Sequence, residues 1–513
     1  MASHIVVILV TIVIYLLMMV VIGVVFSKKN NDVGDFYLGG RKLGPIVTAM
    51  SAEASDMSSY LLMGLPGLAY LCGTAEVGWT VIGLFVGTYL NWLFVAKRLR
   101  VYSAKIGAIT IPDFFARRFR DKKIIMGVSA LIILIFFIPY TGSGFAACGK
   151  LFESLFKVDY HVAMIVSAVV IILYTSLGGF LAASTTDLIQ SIVMTIALIV
   201  LVCFGVHAAG GIDAVMDNAK DIPQYLSMTS TTNSGAGELS DFGFLPIVST
   251  LAWGLGYFGM PHILLRFMAI DDKNKVKTSR RIASVWVIIS MAIAVFIGII
   301  GNALSKQGII SDLFASSSDS ERVVISMADK MSQSGILAAV FAGLIFSGIL
   351  ACTMSTSDSQ LLAASSSMSE NLVGGVFGIK LDDKKKMLLA RLVLVVIAVL
   401  GVVIAWDKNS SIFGVVSFAW AGFGATFGPL MLTSLFWKRT NKYGAIAGLI
   451  AGGVMVFVWH YGIAKLGGAF AIYELLPAFI VALIAIVLVS LLTGEPEEEI
   501  VKEFEEVKAG VND

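Results

Sequence analysis

The sequence predicts an all-α polytopic membrane protein with 13 transmembrane helices, ten of them forming two five-span halves of opposite topology. Three observations carry that expectation. The 513 residues are 57% hydrophobic and only 14% charged, against about a quarter charged in ordinary soluble domains, and the mean hydropathy is +0.88. Apolar runs of the roughly 20 residues needed to cross a bilayer recur along the whole chain. Two of those runs, five spans apart, are interrupted by glycine and proline.

The spans read as residues 5–26, 45–71, 77–96, 124–147, 160–177, 188–206, 244–265, 282–304, 336–364, 387–406, 412–437, 443–463 and 473–492. The first is not a signal peptide: it lacks a basic n-region and ends in Ser27-Lys28-Lys29 without a small-residue cleavage motif. Threading the spans alternately places all but eight of the 37 lysines and arginines on one side. The positive-inside rule makes that side cytoplasmic, with the N-terminus outside and the C-terminus inside. The units are an extra span and inner loop (1–43), a first repeat (44–209), an outer loop (210–242), a second repeat (243–437), two C-terminal spans (438–493) and an acidic tail (494–513). The tail reads as solvated helix or disorder, the outer loop 210–241 as a flexible cap, and 305–335 as a short surface helix over the mouth.

Composition also excludes. The formal net charge of +2 gives no electrostatic case for nucleic acid. Cys72, Cys148, Cys203 and Cys352 lie in apolar stretches without CxxC spacing, so buried thiols are expected rather than disulfides or zinc. The five histidines are scattered, and no metalloprotease, Walker or kinase signature is present, so an enzyme and an ATP-driven pump are unsupported. A tail of about twenty residues is too short for a signalling kinase. A channel would differ from a transporter in showing uncoupled conductance.

The second span is interrupted at Met63-Gly64-Leu65-Pro66-Gly67 and the seventh at Gly254-Leu255-Gly256-Tyr257-Phe258-Gly259-Met260-Pro261. Proline removes a backbone donor and glycine loosens the helix, so both spans are expected to unwind near the midplane. Non-helical backbone at that depth survives only inside protein or beside a wet cavity. Spans 2–6 and 7–11 thus form halves that each open with a broken helix; five is odd, so the halves are inverted, the pattern of a secondary transporter.

Acids inside membrane spans are costly and therefore functional candidates. Glu53, Asp56 and Tyr60 fall at i, i+3 and i+7 of the second span, on one face of an intact helix. Asp358 sits in the hydroxyl-rich ninth-span run Cys352–Gln360, Asp187 opens the sixth span, and Glu76 precedes the third. Basic residues stand only at helix ends, so none of these acids has an evident buried partner. Unpaired acids, clustered hydroxyls and freed carbonyls suit a hard monovalent cation.

The stretches Ser51–Gly67, Trp253–Met268 (WGLGYFGMPHILLRFM) and Met354–Ser366, with Gly39-Gly40-Arg41 on the first inner loop, resemble the sodium:solute symporter family over nearly the whole chain, closest to its bacterial proline-importing members. The resemblance implies the inverted five-plus-five, LeuT-like fold and sodium-coupled import of L-proline by alternating access. It implies one sodium held by the carbonyls of Ala54, Met57 and Cys352 and the hydroxyls of Ser355 and Thr356, with Asp56 supporting coupling. L-Proline would lie beside Ser58, Tyr140, Trp253, Tyr257 and Pro261, with Trp253 and Tyr257 (i, i+4) as one wall of the ring pocket. A second cation site would draw on Asp187, Asp358 and Ser359; Arg41 and the inner loop 101–123 read as solvated positive-inside charge, with gating of the cytoplasmic side as the alternative. Four positions depart from the family pattern: Glu53 replaces a small residue, Tyr60 a tryptophan, Met260 a glutamine, and Asp358 a small or hydroxyl residue. The alternative within the family is another small solute, such as pantothenate, a sugar, a sialic acid or a monocarboxylate.

Overall fold

A computed structural model describes residues 3–27, 33–235 and 237–512; Lys28 and Lys29, counted above on the first inner loop, lie outside the described residues. These residues contain ten helices long and apolar enough to cross a membrane and three shorter apolar helices, Tyr60–Cys72, Tyr160–Leu173 and Phe244–Phe258. The ten coincide with predicted spans 1, 3, 4, 6 and 8–13, and the short ones with spans 2, 5 and 7. In spans 2 and 7 the helices are short because the chain breaks within the span.

Helix Pro45–Asp56 stops where Met57 leaves the helical region (φ −74°, ψ 74°). The chain re-enters as a π-helical turn, Tyr60–Gly64, and continues as helix Leu65–Cys72. The break therefore lies at Met57–Ser59, not at the expected Met63–Gly67. Pro66 sits in the first turn of its helix, where a missing N–H costs nothing. Tyr60 consequently does not continue the face of Glu53 and Asp56. The seventh span breaks where expected: helix Phe244–Leu251 tightens to a 3₁₀ segment, Ala252–Phe258, Met260 is extended, and Pro261–Ala269 resumes as α-helix.

The two broken spans run in opposite directions, as an inverted repeat requires. Leu43, just before the second span, accepts a hydrogen bond from Asp271 N at 2.9 Å and donates to Ala269 O at 3.2 Å, just after the seventh. One span thus begins where the other ends. Both breaks are buried, and the spans around them carry the core. The window of the eleventh span is 78% buried and that of the ninth 67%, against 22% for the first and twelfth, which face lipid.

Close packing on the seventh break depends on absent side chains. A Cβ on Gly87 of the third span would stand 2.2 Å from Gly254 O, and one on Gly254 would stand 2.2 Å from Gly83 O. Small residues let helices approach in this way where no hydrophobic driving force separates helix from lipid.

Several expectations are corrected. Spans 5 and 6 are not separated by a ten-residue loop; helix Tyr160–Ala208 is interrupted only at Gly179 (φ 67°). Asp187 therefore lies about two turns inside its helix. The cap 210–241 is built rather than flexible, with helix Ile212–Asp221 and an antiparallel hairpin pairing Ser230–Asn233 with Glu238–Asp241. Residues 305–335 form helices Ser317–Ser320 and Val323–Ser332, the second burying Val323, Val324, Met327 and Met331. Lys150 and Glu321 form a buried pair there (2.7 Å), and Glu321 also accepts from Ser411 Oγ and Phe413 N. The tail folds as helix Glu498–Asn512 with Ile500, Phe504 and Val507 buried against the protein. Of the free cysteines, Cys148 and Cys352 are buried, whereas Cys203 is exposed; an apolar neighbourhood in sequence does not distinguish lipid from protein.

Gly87→Leu should overpack the third span against the 3₁₀ segment and cost about 1–3 kcal/mol. Thermal unfolding of the purified protein should show a lowered midpoint, while Gly243→Ala, with nothing within 4 Å of its added Cβ, should leave it unchanged.

Candidate functional site

Each break exposes backbone carbonyls that a membrane interior cannot hydrate, and side chains from other spans answer them. At the seventh break, Asn91 Nδ2 donates to Tyr257 O (2.9 Å) and Trp420 Nε1 to Trp253 O (2.8 Å). At the second, Ser355 Oγ donates to Ala54 O at 2.7 Å and lies 3.1 Å from Cys352 O, while the Tyr140 hydroxyl donates to Asp56 O at 3.4 Å. The breaks meet where the Tyr257 hydroxyl donates to the Asp56 carboxylate.

This geometry brings Ala54, Cys352 and Ser355 together directly. Thr356, one residue on, has a buried hydroxyl without a partner among the described residues. Met57 is the residue at which the helix opens. The set is all oxygen, spans two helices and contains an orphaned hydroxyl, which fits a desolvated alkali cation. The second carboxylate oxygen of Asp56 is likewise buried and unpartnered among the described residues. Asp56 therefore has no fixed cation beside it among the described residues.

Tyr140, Ser58 and Tyr257 also converge on Asp56, whose carbonyl accepts from Ser58 N (2.8 Å) as well as from the Tyr140 hydroxyl. Pro261 opens helix Pro261–Ala269 next to them, and the ring of His262 lies between Phe137 and Tyr140 (5.7 and 6.3 Å). Trp253 is placed differently. In a 3₁₀ segment, residues i and i+4 stand about 120° apart rather than on one face, so Trp253 and Tyr257 do not form a common wall. Trp253 stacks on Tyr473 (5.0 Å) and Phe413 (5.1 Å), while Tyr257 meets Trp420 edge-on (5.1 Å). Trp420 touches both and joins them.

Asp187, Asp358 and Ser359 are brought together, but around an arginine. Arg266 is 1% exposed. Its Nη2 reaches Asp187 at 3.2 Å and Ser359 Oγ at 2.5 Å, its Nε donates to Ser51 Oγ at 3.0 Å, and its guanidinium lies over the Phe180 ring. Ser51 and Ser55 donate to the same Asp187 oxygen (2.6 and 3.2 Å), and Ser359 donates to Asp358 (3.2 Å). The expectation that no intramembrane acid has a buried partner is thus wrong for Asp187. Arg266 was read as the first residue of a basic loop; the apolar residues on both sides of it, Leu264-Leu265 and Phe267-Met268, were the signal that it is interior. Glu53 also has partners that sequence spacing did not show: Thr88 Oγ1 (3.0 Å) and Trp92 Nε1 (2.8 Å) both donate to it from the third span.

Arg41 lies on the basic face. Its guanidinium donates to Ser103 O (3.0 Å), Ala108 O (2.5 Å) and Met268 O (2.7 Å). It therefore ties the first loop to the segment after the third span and to the end of the seventh. Burial lowers its pKa to about 10, aided by Arg100 nearby, so it remains charged at neutral pH.

A cluster of oxygen atoms beside two broken helices that meet inside the membrane is the arrangement of an ion-coupled secondary transporter of the inverted-repeat class. Residues 36–452 match the sodium:solute symporter family, and the chain belongs to that family. It is 41% identical to the high-affinity proline transporter PutP of Bacillus subtilis (93% of this chain, 96% of that protein). It is 42% identical to the sodium/proline symporter of Haemophilus influenzae (95% and 94%). Its fold is similar to a Na+-coupled sialic acid symporter in the substrate-bound outward-open state, with TM-score 0.78 at 19% identity, covering 96% of this chain and 99% of that one. It also resembles Mhp1, a nucleobase-cation-symport-1 family transporter, with TM-score 0.55 at 14% identity (92% and 98%).

Arg266→Gln should strand the Asp187 carboxylate and cost about 3–5 kcal/mol, read as lost folded protein after detergent extraction. Adding Asp187→Asn should recover most of that loss, because the remaining groups are neutral and can still hydrogen-bond.

Proposed function

We infer that the chain is a sodium-coupled symporter that imports L-proline across the plasma membrane by alternating access. The observation that carries the reading is the meeting of the two helix breaks at Asp56 and Tyr257, beside the Ala54–Ser355–Cys352 oxygen cluster. The proline-transporting relatives, alike over more than nine-tenths of the chain, support the choice of solute.

Sodium from outside binds first, to the carbonyls of Ala54, Met57 and Cys352 and the hydroxyls of Ser355 and Thr356. It draws the opened second span against the ninth, with the uncompensated Asp56 carboxylate favouring its entry. That forms the pocket of Ser58, Tyr140, Tyr257 and Pro261, closed on its far side by Trp253, Trp420 and Tyr473. A zwitterionic imino acid then satisfies the remaining polar groups while its ring meets the aromatic walls. Because sodium and solute share one stretch of backbone, each raises the other's affinity by the same factor.

The Arg266 guanidinium occupies the position between Asp187 and Ser359. It supports reading that cluster as a fixed ion pair that anchors the spans, with the mobile cation at the Ser355 site. Arg41, bound to three segments of the basic face, closes the cytoplasmic side, and its contacts part when that side opens. The chain crosses the membrane thirteen times in this arrangement, with the N-terminus outside and the C-terminal helix in the cytoplasm. Membrane potential supplies about 2.3 kcal/mol per charge per 100 mV. One sodium thus gives a concentrating factor on the order of 50 before its own gradient is added.

In proteoliposomes, a sodium gradient should drive labelled L-proline uptake and an imposed proton gradient should not. Ser355→Ala and Thr356→Ala should each raise the half-saturating sodium concentration by on the order of tenfold. Unchanged sodium dependence in both variants would place the cation elsewhere.

A further inference from the structure

We propose that Tyr60 is a specificity-determining residue of the transport site, its phenol donating a hydrogen bond to the carboxylate of the bound solute. The inference rests on the L-proline reading and deepens it.

Tyr60 is the first residue to re-enter helix after the opened stretch Met57–Ser59. It is 1% exposed, and its hydroxyl has no hydrogen-bond partner among the described residues. Its electrostatic neighbours are site residues: Asp56, Tyr140, Glu53 and Cys352, with Tyr257 also in range. Three phenols, from the second, fourth and seventh spans, thus surround Asp56. Two are engaged, since Tyr257 donates to the carboxylate and Tyr140 to the Asp56 carbonyl. The third is free.

Packing alone does not account for a free phenol there. Phenylalanine would fill the same volume without burying a hydroxyl, and an unmatched buried hydroxyl is a standing cost. The cost is removed if the cargo supplies the partner. The identity of that partner follows from which groups remain unmatched. Asp56 Oδ1, also buried and unpartnered, only accepts when ionised, so it suits a cation or an ammonium. The free phenol is a donor left unmatched, alongside the hydroxyls of Ser59 and Thr356 and the ring of His262, and the acceptor-only group of an amino acid is its carboxylate. A phenol–carboxylate bond is charge-assisted, stronger than a neutral one, and confers selectivity because a solute lacking the carboxylate leaves the donor unmatched.

The test compares wild type and Tyr60→Phe in proteoliposomes at saturating sodium. Labelled L-proline uptake is inhibited with unlabelled L-proline or with pyrrolidine, which keeps the ring and lacks the carboxylate. The variant should bind L-proline more weakly by on the order of tenfold or more and pyrrolidine within about twofold of wild type. Equal weakening of both ligands, or of neither, overturns the assignment. Thermal unfolding in detergent is a second arm. Ligand-free Tyr60→Phe should melt no lower than wild type, with a smaller stabilisation by L-proline; a ligand-free variant melting well below wild type makes Tyr60 a packing residue and overturns the proposal. Wild-type protein that takes up no L-proline refutes the proline reading itself, a result separate from a variant that transports and discriminates unchanged.

Discussion

Backbone carbonyls released inside a bilayer must find partners, and the arrangement of this protein follows from how two sets of them are answered. At the seventh-span break the partners are fixed side chains, Asn91 and Trp420, from the third and eleventh spans. At the second-span break they are hydroxyls: one serine bridging Ala54 and Cys352, and one long tyrosine contact to Asp56. The seventh break is thus bonded to amide and indole donors, whereas the second presents an oxygen cluster that, in the proposed mechanism, a small cation takes over. Burial sharpens the difference, because in a medium without water an alternative ligand gains what hydration would otherwise have supplied.

The buried acids divide in the same way. Asp187 has a permanent cation in Arg266 and two serine donors, so its charge is neutralised where it stands. Asp56 has a tyrosine donor and no cation in contact among the described residues. Two unit charges 4 Å apart at an effective dielectric near 20 attract by about 4 kcal/mol, so an uncompensated carboxylate near the carbonyl cluster strongly favours a mobile positive charge there. The arginine therefore satisfies Asp187, whereas Asp56, Glu53 and Asp358 have no ion-pair partner among the described residues.

Much of this was legible in the sequence, and the misreadings share physical causes. The seventh break was placed correctly because three glycines and a proline leave a helix there no cohesive run. The second was placed about two turns too late because proline was taken as the breaker, although it sits in the first turn of the following helix. The actual opening, at Met57-Ser58-Ser59, contains no helix-breaking residue; it is stabilised by distant partners such as Ser355 and Tyr140 that local sequence does not show. Arg266 was taken for a loop residue because a hydropathy window ends at the first charge, and only the apolar residues beyond it indicated burial. The wall expected from Trp253 and Tyr257 assumed 3.6 residues per turn, whereas the glycines allow a tighter helix that turns the two rings apart. The ordered tail escaped composition because its three apolar anchors are spread among glutamates.

Coupling then has a compact structural basis. The Ala54 carbonyl meets Ser355 of the ninth span, while Asp56, two residues on, meets Tyr140 of the fourth span and Tyr257 of the seventh. In the proposed mechanism one stretch of a few residues therefore serves both the cation and the solute. Fixing its dihedral angles for one ligand removes part of the conformational entropy that the other would have to overcome, on the order of 1–2 kcal/mol for each residue ordered. That is the scale of typical coupling free energies between linked sites, 1–3 kcal/mol or about 5- to 150-fold in affinity. An intact helix through Met57–Ser59 would already have its backbone ordered and its carbonyls bonded, leaving neither ligands for the cation nor freedom for it to remove. The break is what allows sodium and solute to act on each other without touching.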